Sequence, residues 1–338
     1  MKKSVFIIPT VLTALTLGVA GCGTNTTSGN ANAATTSAGS SVSTANHATS
    51  SSQTTTSQAA SASFPVTLKD GAGHTVTISK QPQHIASTTE GTDEILTALV
   101  PKKDIVLVTN YADDPQYSNV ASLVKGIPTI QNLTAEQVIA AKPDLVLTAS
   151  YAKQSVISQI EQAGIPAYEF NTFNSIADIE RNIQVVGKLV GQEAKAAKVV
   201  TTMQSQLQNV QDAVKGQKKV SVLDYSSYGY AAGSSTTVND VIVGAGGINA
   251  ASKLNGWKQI TDEEIVKLNP DVIIDANNDK GFVQKILSDP ALKNVSAVKN
   301  HRVYSVSSAD LTSVSQYVTR GVQDVAKLLY PNVQIGNE

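Results

Sequence analysis

The amino-acid sequence predicts an α/β protein of two similar, Rossmann-like lobes joined by one long helix, on three observations. Two stretches about 127 residues apart follow one plan: Leu133-Thr134-Ala135-Glu136 leading to Pro143-Asp144-Leu145-Val146-Leu147, and Ile260-Thr261-Asp262-Glu263 leading to Pro270-Asp271-Val272-Ile273-Ile274. Apolar, strand-like runs alternate with amphipathic, helix-like ones, the pattern of a parallel sheet with crossover helices. Between the two copies, Val200, Met203, Leu207, Val210 and Val214 recur at steps of three and four, which gives a helix one apolar face. Running from Gln192 to Lys215, that helix would be roughly 36 Å long, enough to cross from one small lobe to another.

At the N-terminus, Lys2 and Lys3 precede an apolar stretch from Val5 to Ala20 that ends Leu17-Gly18-Val19-Ala20-Gly21-Cys22. It is shorter than a membrane-spanning helix requires and reads as an export signal over residues 1–21. The small residues before the cysteine resemble a bacterial lipoprotein signal, which implies cleavage before Cys22 and acylation of its thiol. Cys22 is the single cysteine of the chain, so the exported body folds without an intramolecular disulfide. Apart from Cys22, Val42 and His47, residues 22–63 are Ser, Thr, Ala, Asn, Gln and Gly with no Asp, Glu, Lys or Arg, the composition of a disordered tether. As a flexible coil of about 40 residues it would span roughly 35 Å.

The first lobe is expected over residues 64–190. It opens with a hairpin, Val66-Thr67-Leu68 and Thr75-Val76-Thr77-Ile78 around Asp70-Gly71-Ala72-Gly73. Strands are expected at His84–Ser87, Ile105–Val108, Leu145–Thr148 and Ala167–Phe170, with a helix from Asp93 to Leu99. The connecting helix takes residues 191–216, and the second lobe, 217–338, opens with a strand from Lys219 to Tyr225. Gly244-Ala245-Gly246-Gly247 follows a helical pattern and not a strand, so it reads as a helix C-cap and not as a phosphate loop.

In both copies of the repeat a threonine starts a helix, with Gln137 or Glu264 as its capping-box partner three residues on, and a proline ends it. Glu136 and Glu263 therefore occupy matched second positions, pointing outward. An acid there complements the helix dipole, but the same acid on two lobes also suggests a two-point dock.

Ligands of open α/β sheets sit beyond the carboxyl ends of the strands. The loops there carry Thr89 and Glu90 after the first strand, Tyr111 and Tyr117 after the second, Tyr151 after Leu145–Thr148, and Tyr225, Tyr228 and Tyr230 at the start of the second lobe. Asn277 after Ile274 and Trp257 complete the candidates, although Trp257 serves equally well as a packing residue. A tyrosine ring offers a flat apolar face with a polar end, which suits a large organic ligand.

The formal net charge of −1, about −3 once Lys2 and Lys3 leave with the signal, gives nucleic acid no basic footprint. The three arginines, Arg181, Arg302 and Arg320, stand outside the candidate loops, which disfavours a strongly anionic ligand. Outside the tether only His74, His84 and His301 could ligate a bare metal ion, and their spacing suggests no shared site. No resident cofactor is expected. Nucleophile-elbow, zinc-protease and phosphate-loop motifs are all absent, so an enzyme is not expected.

In this order, Phe64-Pro65-Val66-Thr67-Leu68-Lys69-Asp70, Thr92-Asp93-Glu94-Ile95-Leu96, Lys142-Pro143-Asp144-Leu145-Val146, Gly246-Gly247-Ile248-Asn249, Asn269-Pro270-Asp271-Val272-Ile273 and Arg302-Val303-Tyr304 resemble the substrate-binding proteins of ABC importers for cobalamin and ferric siderophores. The resemblance implies a monomer with its ligand cleft between the lobes and no catalytic activity. Its cargo would be a metal chelate, a corrinoid or a ferric siderophore, and a tyrosine could also ligate haem. Glu136 and Glu263 would meet arginines of a membrane permease driven by a cytoplasmic ATPase. The protein would be lipid-anchored outside the cytoplasm, with a Gram-positive surface favoured by the long tether. A surface sensor or adhesion module of the same fold is the alternative.

Overall fold

The structure, a computed structural model, describes residues 63–276 and 281–336. The expected leader, the tether up to residue 62 with Cys22, and the candidate Asn277 lie outside the described residues.

β1 (Val66–Lys69) and β2 (Thr75–Ile78) form the expected antiparallel hairpin. There follow β3 (Ile85–Ser87), α1 (Glu90–Leu99), β4 (Ile105–Thr109), α2 (Ala121–Val124), β5 (Thr129–Ile130), α3 (Ala135–Ala140), β6 (Leu145–Ala149), α4 (Gln154–Gln162), β7 (Ala167–Phe170) and α5 (Ile176–Leu189). The five strands from β3 on form one parallel sheet in the order β5-β4-β3-β6-β7. Counted from β3, that is the doubly wound order 3-2-1-4-5, whose direction of winding reverses between β3 and β6.

α6 (Glu193–Ala213) connects the halves and packs against α1 and α5 on one side and α7 and α12 on the other. Its 21 residues make about 32 Å of helix, somewhat less than the sequence pattern suggested. The second half contains β8 (Ser221–Asp224), β9 (Tyr230–Ala232), α7 (Thr237–Gly244), β10 (Ile248–Asn249), β11 (Trp257–Gln259), α8 (Asp262–Leu268), β12 (Val272–Ala276), α9 (Phe282–Ser288), α10 (Ser296–Lys299), β13 (Val303–Val306), α11 (Ser308–Leu311) and α12 (Val318–Leu329). Its parallel sheet runs β10-β8-β12-β13, and β9 pairs with β11 in a separate antiparallel ribbon.

The inner strands β3, β6 and β12 are buried on both faces, as a parallel sheet covered by helices requires. Leu145 and Leu147 of β6 and Val272 and Ile274 of β12 join one apolar cluster that is continuous through both lobes. Val146 and Ile273, alternating with them, face two smaller clusters on the far sides of the two sheets.

The internal repeat is physical as well as textual. Lys142 and Asn269 both adopt left-handed backbone, with φ of 51° and 44°, one residue before the proline that ends α3 or α8. The aspartate after each proline then pins the neighbouring strand. Asp144 accepts the N–H groups of Gln83 and His84 at 2.9–3.1 Å beside β3, and Asp271 accepts that of Ser221 at 3.0 Å in β8. The glycine run caps α7 as expected: Gly246 has φ of 86°, and Gly247 N–H donates to the Ile242 carbonyl at 2.9 Å.

Candidate ligand-binding site

Thr89 sets up the site. Its extended backbone and side chain cap α1, accepting the Thr92 N–H at 3.3 Å, so the helix starts at Glu90 and not at Asp93. Glu90 thereby moves from a loop into the first helical turn, directly beyond the carboxyl end of β3. Here, at the winding reversal between β3 and β6, lies a cavity of about 420 Å³ lined by Thr88, Thr89, Glu90, Thr109, Asn110, Tyr111, Thr148, Tyr151 and Lys153 among others. Four of the sequence candidates, Thr89, Glu90, Tyr111 and Tyr151, meet in it. Tyr117 stands behind Tyr111 with ring centroids 5.4 Å apart, edge to face, and so orients it. Tyr151 leans on Phe173 at 6.3 Å, and both Tyr111 and Tyr151 keep at least half of their surface exposed.

Three acids underlie this wall. Asp93 is fully buried and accepts both the backbone N–H and the hydroxyl of Thr109, at 3.0 and 2.6 Å. Burial nevertheless raises its carboxyl well above the usual range. Glu90 is raised likewise, by desolvation first and then by the neighbouring charge of Glu94, and one of its oxygens, Oε1, is buried without a hydrogen-bond partner. Burial raises the neighbouring Glu94 as well, against the opposing hydrogen bonds from Ser315 and Asn119. Lys153 is the one cation among the lining residues, and the rest of the wall offers hydroxyls, amides and ring faces.

Glu94 joins the lobes. Its carboxylate accepts the Asn119 N–H at 2.7 Å and the Ser118 hydroxyl at 3.3 Å from the first lobe, and the hydroxyls of Ser313 and Ser315 at 3.1 and 2.5 Å from the second. Asn119 donates to the Ala309 carbonyl, and Thr237 at the start of α7 donates to that of Phe173. Gly91 permits the approach: a Cβ there would lie 2.6 Å from a Val314 methyl carbon.

The second-lobe candidates do not line the cavity. Tyr225 packs its ring on Phe282, with centroids 5.7 Å apart, as part of a local apolar cluster. Tyr230 and Trp257 stand on the β9–β11 ribbon, where the pairings Trp257 with Ala232 and Gln259 with Tyr230 place both rings on one face. Trp257 is 48% exposed and Tyr228, in the preceding turn, 81%, so the tryptophan is a surface ring and not a core residue. Beneath the winding reversal of this sheet, between β8 and β12, lie the buried acids Asp224 and Asp275.

Residues 85–309 match the family described as Periplasmic binding protein. The chain belongs to that family. Among curated relatives, an uncharacterized ABC transporter substrate-binding lipoprotein of Bacillus subtilis is 32% identical over 278 residues, 80% of this chain and 87% of the relative. A cobalamin-binding protein of Halobacterium salinarum is 24% identical, with 79% of this chain and 73% of that protein covered. Among solved structures, a possible iron-binding, periplasmic solute-binding protein from Staphylococcus epidermidis matches with a TM-score of 0.66 at 26% identity, covering 74% of this chain and all of that one.

As a periplasmic binding protein the chain is a solute receptor and not an enzyme. The protein's expected docking acids sit where the repeat puts them. Glu136 and Glu263 are the second residues of α3 and α8 and are exposed. Glu263 is held below the usual carboxylate range by its own backbone N–H and by the Thr261 hydroxyl. Sequence reasoning about this periplasmic binding protein missed Asp93 and Asn110 around the cavity and Glu94 between the lobes. Asn110 could have been found, since it follows a strand directly. The two acids fall at the start of the expected helix, where no local signal marks a buried polar residue, and Glu94 is enclosed by donors from both lobes.

Proposed function

We propose that this binding protein captures a metal chelate, a corrinoid or a ferric siderophore, and delivers it to the permease of an ABC importer. One observation carries the reading: at the winding reversal of the first sheet, two exposed tyrosine rings stand over a wall of hydroxyls and amides that is free of arginine. Rings supply apolar contact to a large organic ligand, and a wall with one lysine and no arginine suits a near-neutral chelate better than carboxylates or catecholates. In this reading the ligand is held between the lobes, against exposed rings of the second lobe such as Tyr228, Tyr230 and Trp257. The uptake names of several relatives, for cobalamin in one and iron in another, fall in the same chemical range.

The receptor works outside the cytoplasm as a monomer, anchored to the membrane through an acylated Cys22 of a Gram-positive cell. Glu136 and Glu263 carry its contact with the permease.

The test is titration of the purified chain with cyanocobalamin, a ferric hydroxamate, a ferric catecholate and haem, by calorimetry and Trp257 fluorescence. Sub-micromolar binding of one chelate is expected. Tyr111→Ala and Tyr151→Ala should each weaken it about tenfold, the worth of one ring contact. Failure of all four to bind a folded sample would refute the chelate reading and favour a sensor role.

A further inference from the structure

We propose that Asp70, His74 and Glu169 form a binding site for a first-row divalent metal ion, separate from the ligand crevice. None of the three lines the crevice cavity.

The β1–β2 turn docks on the edge strand of the first sheet. Gly71 N–H donates to the Glu169 carbonyl at 2.6 Å, the Asn171 side chain donates to the Gly71 carbonyl, and the Tyr168 hydroxyl donates to that of Lys69 at 3.0 Å. Only glycine fits at position 71, because a Cβ would lie 2.7 Å from the Asn171 side chain. This close seating lays Asp70 and His74 over Glu169.

The side chains then converge. Asp70 Oδ1 is committed to the turn, accepting the N–H groups of Ala72 and His74 at 3.0 and 2.8 Å. Its Oδ2 faces His74 Nδ1 at 3.7 Å, and Glu169 Oε1 approaches the same nitrogen at 4.0 Å. One ligand atom from each residue lies within 4.8 Å of the others. The Asp70 and Glu169 side chains are 1% and 2% exposed, and Glu169 Oε1 is buried with no hydrogen-bond partner. Two carboxylates buried side by side, one with an orphaned oxygen, call for a cation, because buried charges are paired or bind metal.

One imidazole nitrogen with two carboxylate oxygens is a donor set for Zn²⁺, Mn²⁺, Fe²⁺ or Co²⁺; three protein ligands are too few for a calcium cage. Ligand atoms around such an ion stand roughly 3.0–3.4 Å apart when the bonds are about 2.1 Å. His74, half exposed, is the residue free to make the small closure, and its solvent side leaves positions for water. The bound ion clips the N-terminal hairpin to the edge of the first sheet.

The purified chain, stripped with EDTA, is titrated with Zn²⁺ and Co²⁺, following calorimetric stoichiometry, the cobalt visible spectrum and the melting temperature. One equivalent per chain is expected, with a rise in melting temperature. His74→Ala and Glu169→Gln should abolish both, whereas His84→Ala, altering a surface histidine 3.9 Å from Asp144, should change neither. Should Glu169→Gln not fold, His74→Ala decides alone, since His74 lies on the surface. Absence of stoichiometric binding, undiminished binding in His74→Ala, or equal loss in His84→Ala would overturn the proposal.

Discussion

Asp224 ends β8 and stands next to Asp275 of β12 in the interior of the second sheet. Burial first, and then the charge of Asp275, push its carboxyl from 3.8 up to about 7, against the opposing hydrogen bond from the Ala232 backbone. With the folded-state value raised, the stabilising contribution is complete below about pH 4, where both states are protonated. It is lost as pH rises through about 7, because the unfolded chain gives up the proton first. Within that window one such group contributes a slope of up to about −1.4 kcal/mol per pH unit. Asp224→Asn should remove that slope. Urea unfolding at about pH 5 and about pH 8 should therefore show the variant gaining on the parent as pH rises; a constant difference would mean that Asp224 titrates normally. Asp93 and Glu90, raised in the same direction, add to the parent's trend and are unchanged in the comparison.

At the scale of elements, the two copies of the repeated helix are capped unequally. Thr261 makes the full reciprocal box: its hydroxyl accepts the Glu264 N–H at 3.3 Å, and Glu264 accepts the Thr261 N–H at 2.8 Å. Thr134 accepts the Gln137 N–H at 3.3 Å, but its hydroxyl meets the Gln137 side chain directly and no bond returns to the cap backbone. Thr261→Ala should thus cost about 1 kcal/mol and Thr134→Ala about half as much. Chemical denaturation of both variants checks the ranking, and equal losses would refute it. These helices and the strands after them were legible in the sequence because caps, prolines and β-branched runs are local signals. The β9–β11 ribbon was not, since three-residue strands such as Tyr230–Ala232 are too short to show a period. The crevice tyrosines could be read from their position after strands. The meeting of Asp70 and His74 with Glu169 could not, because it depends on how a turn seats against a distant edge strand.

For the whole molecule, Glu94 and its four donors set the contact between the lobes, while α3 and α8 each present one exposed acid. If those acids engage the permease, Glu136→Lys with Glu263→Lys should abolish uptake of the labelled ligand in cells. Affinity of the purified double variant should stay within about twofold of the parent, because neither residue lines the cavity and surface charges far apart couple weakly. Normal uptake by the double variant would refute the docking role.

The repetition that carries these acids reaches down to the backbone: a threonine cap, a left-handed residue, a proline and an aspartate that pins the next strand occur in the same order in both halves. Two surfaces built from one plan present their acid in the same local setting. A partner that reads both in the same way must itself offer one surface twice, which is the geometry of a twofold dimer.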